Sequence, residues 1–117
     1  MTKAEQERID RMQRLGCPAC AFLEIPNVAC DLHHILIGGE RAGDWYTLFL
    51  CPGHHRGAWS AEQLELIEPQ QRVAISDGRK AFTRVYCSER EMWETVQHRL
   101  GLSIAWPLSK IIPRVMA

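Results

Sequence analysis

The sequence predicts a small, single α+β domain, and three observations carry that prediction. The chain has 117 residues, enough for one modest core. A serine or threonine followed three residues later by glutamate or glutamine occurs at Thr2–Glu5, Ser60–Gln63 and Ser88–Glu91, each opening an apolar pattern at helical spacing. Between the first two of these signals, two apolar runs of strand length lie in a segment otherwise rich in Cys, His, Gly and Pro.

Residues 3–15 read as an amphipathic helix, with Ile9, Met12 and Leu15 on one face and Gly16 as its stop. Its polar face carries Arg8, Arg11 and Arg14, which form either solvated helix surface or, on a sharper reading, a ridge that contacts phosphates. Residues 17–59 form the ligand-rich core, with strands at 28–32 and 47–50 joined by the flexible, hairpin-like loop GGERAGD. Residues 60–101 read as mostly helical. A helix runs from the Ser60 cap through Leu64 and Ile67 to residue 68, ahead of Pro69; SDG at 76–78 is a turn, and 79–86 is a short helix. A further helix, 89–100, keeps Met92, Val96 and Leu100 on one face before Gly101. The apolar, proline-containing tail 102–117 is expected to dock along the body; the alternative is an oligomer contact.

Lys plus Arg equals Asp plus Glu at 14 each, so affinity for nucleic acid has to come from local patches rather than from net charge. No apolar run reaches the roughly 18 residues of a membrane span, and the start of the chain is charged where a signal peptide is apolar. These features predict a soluble, cytoplasmic protein without a membrane partner. Five cysteines cannot all pair within one chain, and in a reducing compartment clustered Cys and His are more often metal ligands than disulfides.

Four cysteines and four histidines fall between Cys17 and His55, in CPAC, VACDLHHI and FLCPGHH. A closed zinc site takes four convergent soft ligands, commonly from two turns that each supply a pair two residues apart. Cys17 and Cys20 make one such pair and Cys51 and His54 the other, with Pro18 and Pro52–Gly53 as turn residues. Structural Zn²⁺ is therefore the expected cofactor, with Cys30 as an alternative to His54 for the fourth ligand. A saturated tetrahedral ion leaves no position for a substrate, so chemistry falls to His33, His34 and His55 around a second, incompletely ligated ion. His33 and His34 are neighbours on a strand and point to opposite faces, and His55 opens a helix from which it can reach back toward His33.

Two strands, a loop and a helix gripping one divalent ion is the ββα-metal arrangement, and residues 17–59 resemble the HNH endonucleases that interleave it with a zinc knuckle pair. CPAC, LHHILIGG and LCPGHH are most similar to the phage recombination-enhancement, RecA-dependent nuclease family and its small prophage relatives, and FTRVYCSEREMWETVQHRLG extends the likeness to about residue 101. The resemblance implies a metal-dependent DNA endonuclease that hydrolyses phosphodiesters, acts in recombination, and works with a RecA-type filament in the host cytoplasm. It implies His33 and His55 as ligands of the active-site cation (Mg²⁺, Mn²⁺ or Zn²⁺) and His34 as general base. Two positions depart from the family pattern. Tyr46 stands where the motif's Asn orients the base, and Trp59 stands where some members carry a further His. Both departures favour the competing function, a catalytically inactive, zinc-stabilised DNA- or protein-binding module on the same scaffold.

Of the remaining candidates, Arg56 beside His55 is the better phosphate contact, and Arg41, on the glycine-rich loop with Gly38, Gly39 and Gly43, is the second. Asp44 reads as a turn residue with a metal contact through water as its alternative. Cys87 and His98 read as core and surface respectively. Trp45, Trp59, Trp93 and Trp106 read as core, with Trp59 closest to the proposed active centre.

Overall fold

The computed structural model of the chain describes residues 1–26 and 28–107. Helix α1 (Lys3–Leu15) starts on the expected capping box: Thr2 Oγ1 accepts from the Glu5 amide at 3.1 Å, and Glu5 Oε1 accepts from the Thr2 amide at 2.6 Å. A short helix α2 (Pro18–Phe22) follows. Strand β1 (Asp31–His34) pairs antiparallel with β4 (Thr47–Leu50), setting His33 opposite Leu48 and His34 opposite Thr47. Helices α3 (Pro52–Arg56), α4 (Ala61–Leu66), α5 (Arg79–Val85) and α6 (Glu89–Leu100) follow among the described residues, with single 3₁₀ turns at Pro69–Gln71 and Ile75–Asp77. The architecture is the small α+β domain that the sequence predicts.

The core gathers Ile9 and Met12 of α1, Ile35, Leu48 and Leu50 of the strand region, Phe82 of α5, and Trp93, Val96 and Leu100 of α6. Each such side chain contributes roughly 1.5–3 kcal/mol by leaving water. All four residues of β4 are buried, because helices cover the β1–β4 ribbon on both faces. Helix α6 has the predicted bounds, opened by reciprocal Ser88–Glu91 bonds and closed by Gly101 at φ 69°, a left-handed conformation in which glycine pays no Cβ penalty. Leu102, Ile104 and Trp106 pack against the core, and the Tyr46 hydroxyl donates to the Ala105 carbonyl at 2.9 Å. The start of the tail therefore docks on its own chain. The rest of it, and with it any oligomer contact, lies outside the described residues.

Several expectations change. The first strand begins at Asp31 rather than at residue 28. The loop after it contains a second, two-residue hairpin, β2 (Leu36–Ile37) with β3 (Glu40–Arg41), turned by Gly38 and Gly39 at φ 62° and 81°. Positive φ at both central residues is what a type I′ turn requires, so two adjacent glycines permit this hairpin. Helix α4 stops at Leu66, where Ile67 turns extended and buries its side chain.

Helix α1 also corrects the reading of its arginines. Arg8 lies one turn before Met12 on the same face and is only 1 % exposed. Its Nη1 and Nη2 donate to Thr47 Oγ1 and the Thr47 carbonyl at 2.8 and 3.0 Å, and its Nε donates to Gln97 Oε1 at 2.7 Å. Burial among these neutral acceptors lowers its pKa to about 10. Arg11 donates to the Leu100 carbonyl at the end of α6. Two of the three arginines are thus structural pins that lock α1 to β4 and α6, and they are not a phosphate ridge.

Candidate functional site

Two knuckle turns bring Cys17, Cys20, Cys51 and His54 together in the interior, with their ligand atoms all within 4.8 Å of one another. Cys17 caps α2 and Cys51 caps α3, each followed by proline at the first helical position, so the chain is pre-bent just where each ligand pair needs its turn. Cys20 Sγ is 3.7 Å from Cys51 Sγ, and His54 Nδ1 lies 3.7, 3.6 and 3.1 Å from the sulfurs of Cys17, Cys20 and Cys51. A tetrahedral ion with Zn–S bonds of about 2.3 Å sets its sulfurs about 3.8 Å apart, so the cage has zinc dimensions. Cys30 stands outside this set and donates its thiol to the Val28 carbonyl at 3.2 Å.

The surroundings of the cage fit a cation bound by thiolates. The Tyr86 hydroxyl donates to the Gln71 carbonyl at 2.6 Å, so at 2.7 Å from His54 it accepts the Nε2 proton and leaves Nδ1 as the lone-pair donor facing the sulfurs. Gln63 Nε2 donates to Cys51 Sγ at 3.2 Å while Gln63 Oε1 accepts from the Ser60 amide, and the His54 amide points at Cys51 Sγ at 3.3 Å. Donation from Cys17, Cys20 and then His54 pulls Cys51 far down toward thiolate, whereas bonding to Cys17 and Cys51, with burial, pushes Cys20 up. A dication in the cage would supply the charge that favours thiolate at all three cysteines. The cluster is compatible with structural zinc.

Trp59 belongs to this centre and not to the histidine cluster beside which the sequence placed it. Its ring meets His54 edge-on at a centroid distance of 4.9 Å and lies so close over Gly53 that a Cβ there would sit 2.2 Å from the ring. The indole closes the cage from above, and only glycine fits beneath it.

His33 of β1 and His55 of α3 meet in a second cluster. Asp31 and His33 share one face of β1, and His55 on α3 faces them, its ring 5.3 Å from that of His33. His55 Nδ1 donates to Asp31 Oδ2 at 2.9 Å, and Arg56 Nε donates to the same oxygen at 3.0 Å. His33 Nε2 donates to Glu89 Oε2 at 2.7 Å, and Arg79 Nε pairs with Glu89 Oε1 at 2.7 Å. Each imidazole is therefore fixed by a carboxylate on one nitrogen, and in its neutral form it keeps a lone pair on the other, His33 Nδ1 and His55 Nε2. Metal-binding histidines are oriented in this manner. His55 and then Arg56 hold the Asp31 carboxyl below the usual carboxylate range.

His34 points to the other face of β1, with Nε2 4.0 Å from Asp44 Oδ1. Burial first, then the nearby Arg41, lowers its pKa, which favours the neutral imidazole. Tyr46 does not orient it: the phenol packs tilted on Trp93 and edge-on against Trp106, with centroids at 5.2 and 6.2 Å. Arg41 and Arg56 are both exposed, and of the two only Arg56 borders the His33–His55 pair.

Asp31, Gln63, Arg79, Tyr86 and Glu89 escaped the sequence reading. Asp31 left a signal, two residues before His33 on one strand face, and Gln63 was visible only as a helix cap. Glu89 reads as an ordinary first-turn acid of α6, and nothing local marks its partner 56 residues away.

Among the described residues, no helix is long and apolar enough to cross a membrane. No individual curated protein matches the chain. The model of one protein family, recombination enhancement, RecA-dependent nuclease, matches residues 1–100. With most of its length matched in this way, the chain belongs to the recombination enhancement, RecA-dependent nuclease family.

Proposed function

We propose that the chain is a metal-dependent DNA endonuclease of the HNH, ββα-metal type, which hydrolyses phosphodiester bonds during phage or prophage recombination, on DNA carrying a RecA-type filament. The observation that carries this reading is the meeting of His33 and His55, 5.3 Å apart by centroid, each backed by its own carboxylate and flanked by an arginine. The family's name agrees with it. His33 Nδ1 and His55 Nε2 are the nitrogens that would hold Mg²⁺, Mn²⁺ or Zn²⁺. Such an ion, when bound, stabilises charge on the scissile phosphate and the leaving oxygen.

Asp31 and Glu89 fix the two imidazoles in their working tautomers. Arg56 and Arg79 supply positive charge for a phosphate at the edge of the pair. His34, on the adjacent strand position, takes the proton from the attacking water, and its lowered pKa keeps it competent as a base near neutral pH. Zn²⁺, when bound by Cys17, Cys20, Cys51 and His54, would tie the start of α3, the helix that carries His55, to α2 and the end of β4. His34→Ala is expected to abolish nicking of supercoiled plasmid in Mg²⁺, Mn²⁺ or Zn²⁺, with or without a recombinase filament, while zinc content and thermal midpoint stay at wild-type values. Undiminished nicking by that variant would remove the base assignment.

One observation favours the binding-module reading: Tyr46 spends its hydroxyl on Ala105 and leaves His34 with Asp44 at 4.0 Å as its oriented neighbour. The same plasmid assay separates the two. Absence of nicking by the wild-type protein in every metal and filament condition leaves the module.

A further inference from the structure

The chain is neutral overall, yet two of its helices carry charge of a single sign. Helix α4 carries Glu62 and Glu65, with Glu68 just beyond it, whereas α5 (Arg79–Val85) carries Arg79, Lys80 and Arg84 and no acid. Phe82 is fully buried and anchors α5 to the core. Its outer face is then fixed: Arg79, Lys80, Thr83 and Arg84 are all exposed and line a shallow, open groove of about 400 Å³. The first of them ties this face to the histidine cluster. Arg79 Nε pairs with Glu89, which holds His33, and Arg79 Nη2 donates to the Leu36 carbonyl at 3.2 Å.

We propose that the α5 face is a sequence-independent binding surface for the backbone of duplex DNA, which leads the phosphate chain from Arg84 past Lys80 and Arg79 to the His33–His55 pair. This deepens the nuclease reading and rests on it for the position of the scissile phosphate. Lys80 and Arg84 are four residues apart, which on a helix is an advance of about 6 Å. Neighbouring phosphates of one strand wind round the duplex and so stand well over their axial rise of about 3.4 Å apart, and the two cations suit adjacent phosphates. The Thr83 hydroxyl between them is a neutral donor of the type that contacts phosphate oxygens. Basic side chains on a rigid, well-anchored helix also lose less freedom on binding than the same charges on a loop.

The test is equilibrium binding of a fluorescently labelled 30-base-pair duplex of arbitrary sequence, followed by anisotropy across a salt series without divalent cation. Removing two phosphate contacts is expected to flatten the slope of log K against log salt by about 1.8, since each contact contributes about 0.9. The double variant Lys80→Ala/Arg84→Ala is therefore expected to bind more weakly with that flatter slope, at unchanged zinc content and thermal midpoint. A control, Arg90→Ala/Arg99→Ala on α6, is expected to keep the wild-type slope. An unchanged slope in the α5 variant overturns the proposal, and so does an equal flattening in the α6 control, because the contact would then be diffuse. If the α5 slope falls as expected while the wild-type protein nicks no plasmid in any condition, the binding surface stands and the nuclease reading fails. If nicking depends on His34 but the slope does not depend on α5, the reverse holds.

Discussion

Two adjacent residues of the short helix α3 (Pro52–Arg56) are histidines in opposite circumstances. His54 is fully buried, its Nδ1 turned to three sulfurs and its Nε2 spent on Tyr86, under a tryptophan lid. His55, the next residue, is partly exposed, holds one carboxylate, and faces His33 with its second nitrogen unspent among the described residues. One centre is saturated by soft ligands and suited to hold a fold together. The other sets two imidazoles at a partly exposed edge bordered by charge. A helix turns by about 100° per residue, so adjacent positions can serve a dry cage and a wet cleft without any distortion of the chain.

The largest effect expected from this contrast is on stability. Cys51→Ala, or stripping zinc with a strong chelator, is expected to cost several kcal/mol, enough to abolish a cooperative thermal transition, because structural zinc binding is coupled to folding. The pair His33→Ala/His55→Ala is expected to shift stability by no more than about 1 kcal/mol, as for other partly exposed ion pairs, while abolishing nicking. Calorimetry of both variants beside elemental analysis checks this. Equal destabilisation by the two would erase the distinction between a structural and a working centre.

A smaller effect sharpens the boundary of the closed centre. Gly53→Ala places a Cβ 2.2 Å from the Trp59 ring, so the lid has to move. The expected cost is about 1–3 kcal/mol, the range for overpacking, and Gly53→Ala/Trp59→Leu is expected to recover part of it. Denaturant midpoints of the single and double variants provide the measurement, and additive losses would show that the indole does not close the cage.

The smallest effect concerns Gln63. Gln63→Glu retains the oxygen that caps the Ser60 amide but replaces the N–H that donates to Cys51 with a second acceptor. Zinc affinity is expected to fall by roughly 10–100-fold with helix α4 intact, the range for lost partners of metal ligands. Competition with a chromophoric chelator gives the affinity and circular dichroism the helix. Wild-type affinity in the variant would reduce Gln63 to a capping residue.

Most of the helical frame was legible because capping and hydrophobic spacing are local. Thr2, Ser60 and Ser88 each found the partner three residues on that the pattern names, and α1 and α6 have their predicted bounds. The four cage residues could be grouped for a similar reason, since two-residue spacings on proline turns constrain geometry before any tertiary contact forms. The arginines of α1 misled because periodicity assigns a charged residue to the solvent face, and Arg8 is instead satisfied by Thr47 and Gln97, at separations of 39 and 89 residues. Trp59, read as core, packs on the closed centre, because the turn at Gly57 carries its ring back over Gly53.

By itself, the sequence determined the α+β class, the helix starts, and the grouping of Cys17, Cys20, Cys51 and His54 by their spacing. Tertiary structure decided which charges meet. Glu89 came to His33, Arg79 to Glu89, and Tyr86 to His54 by the packing of α5 and α6 against the strand pair. Local signals fix backbone geometry over a few residues. Pairings across tens of residues depend on how apolar faces dock, and a single chain's spacing carries almost no record of that.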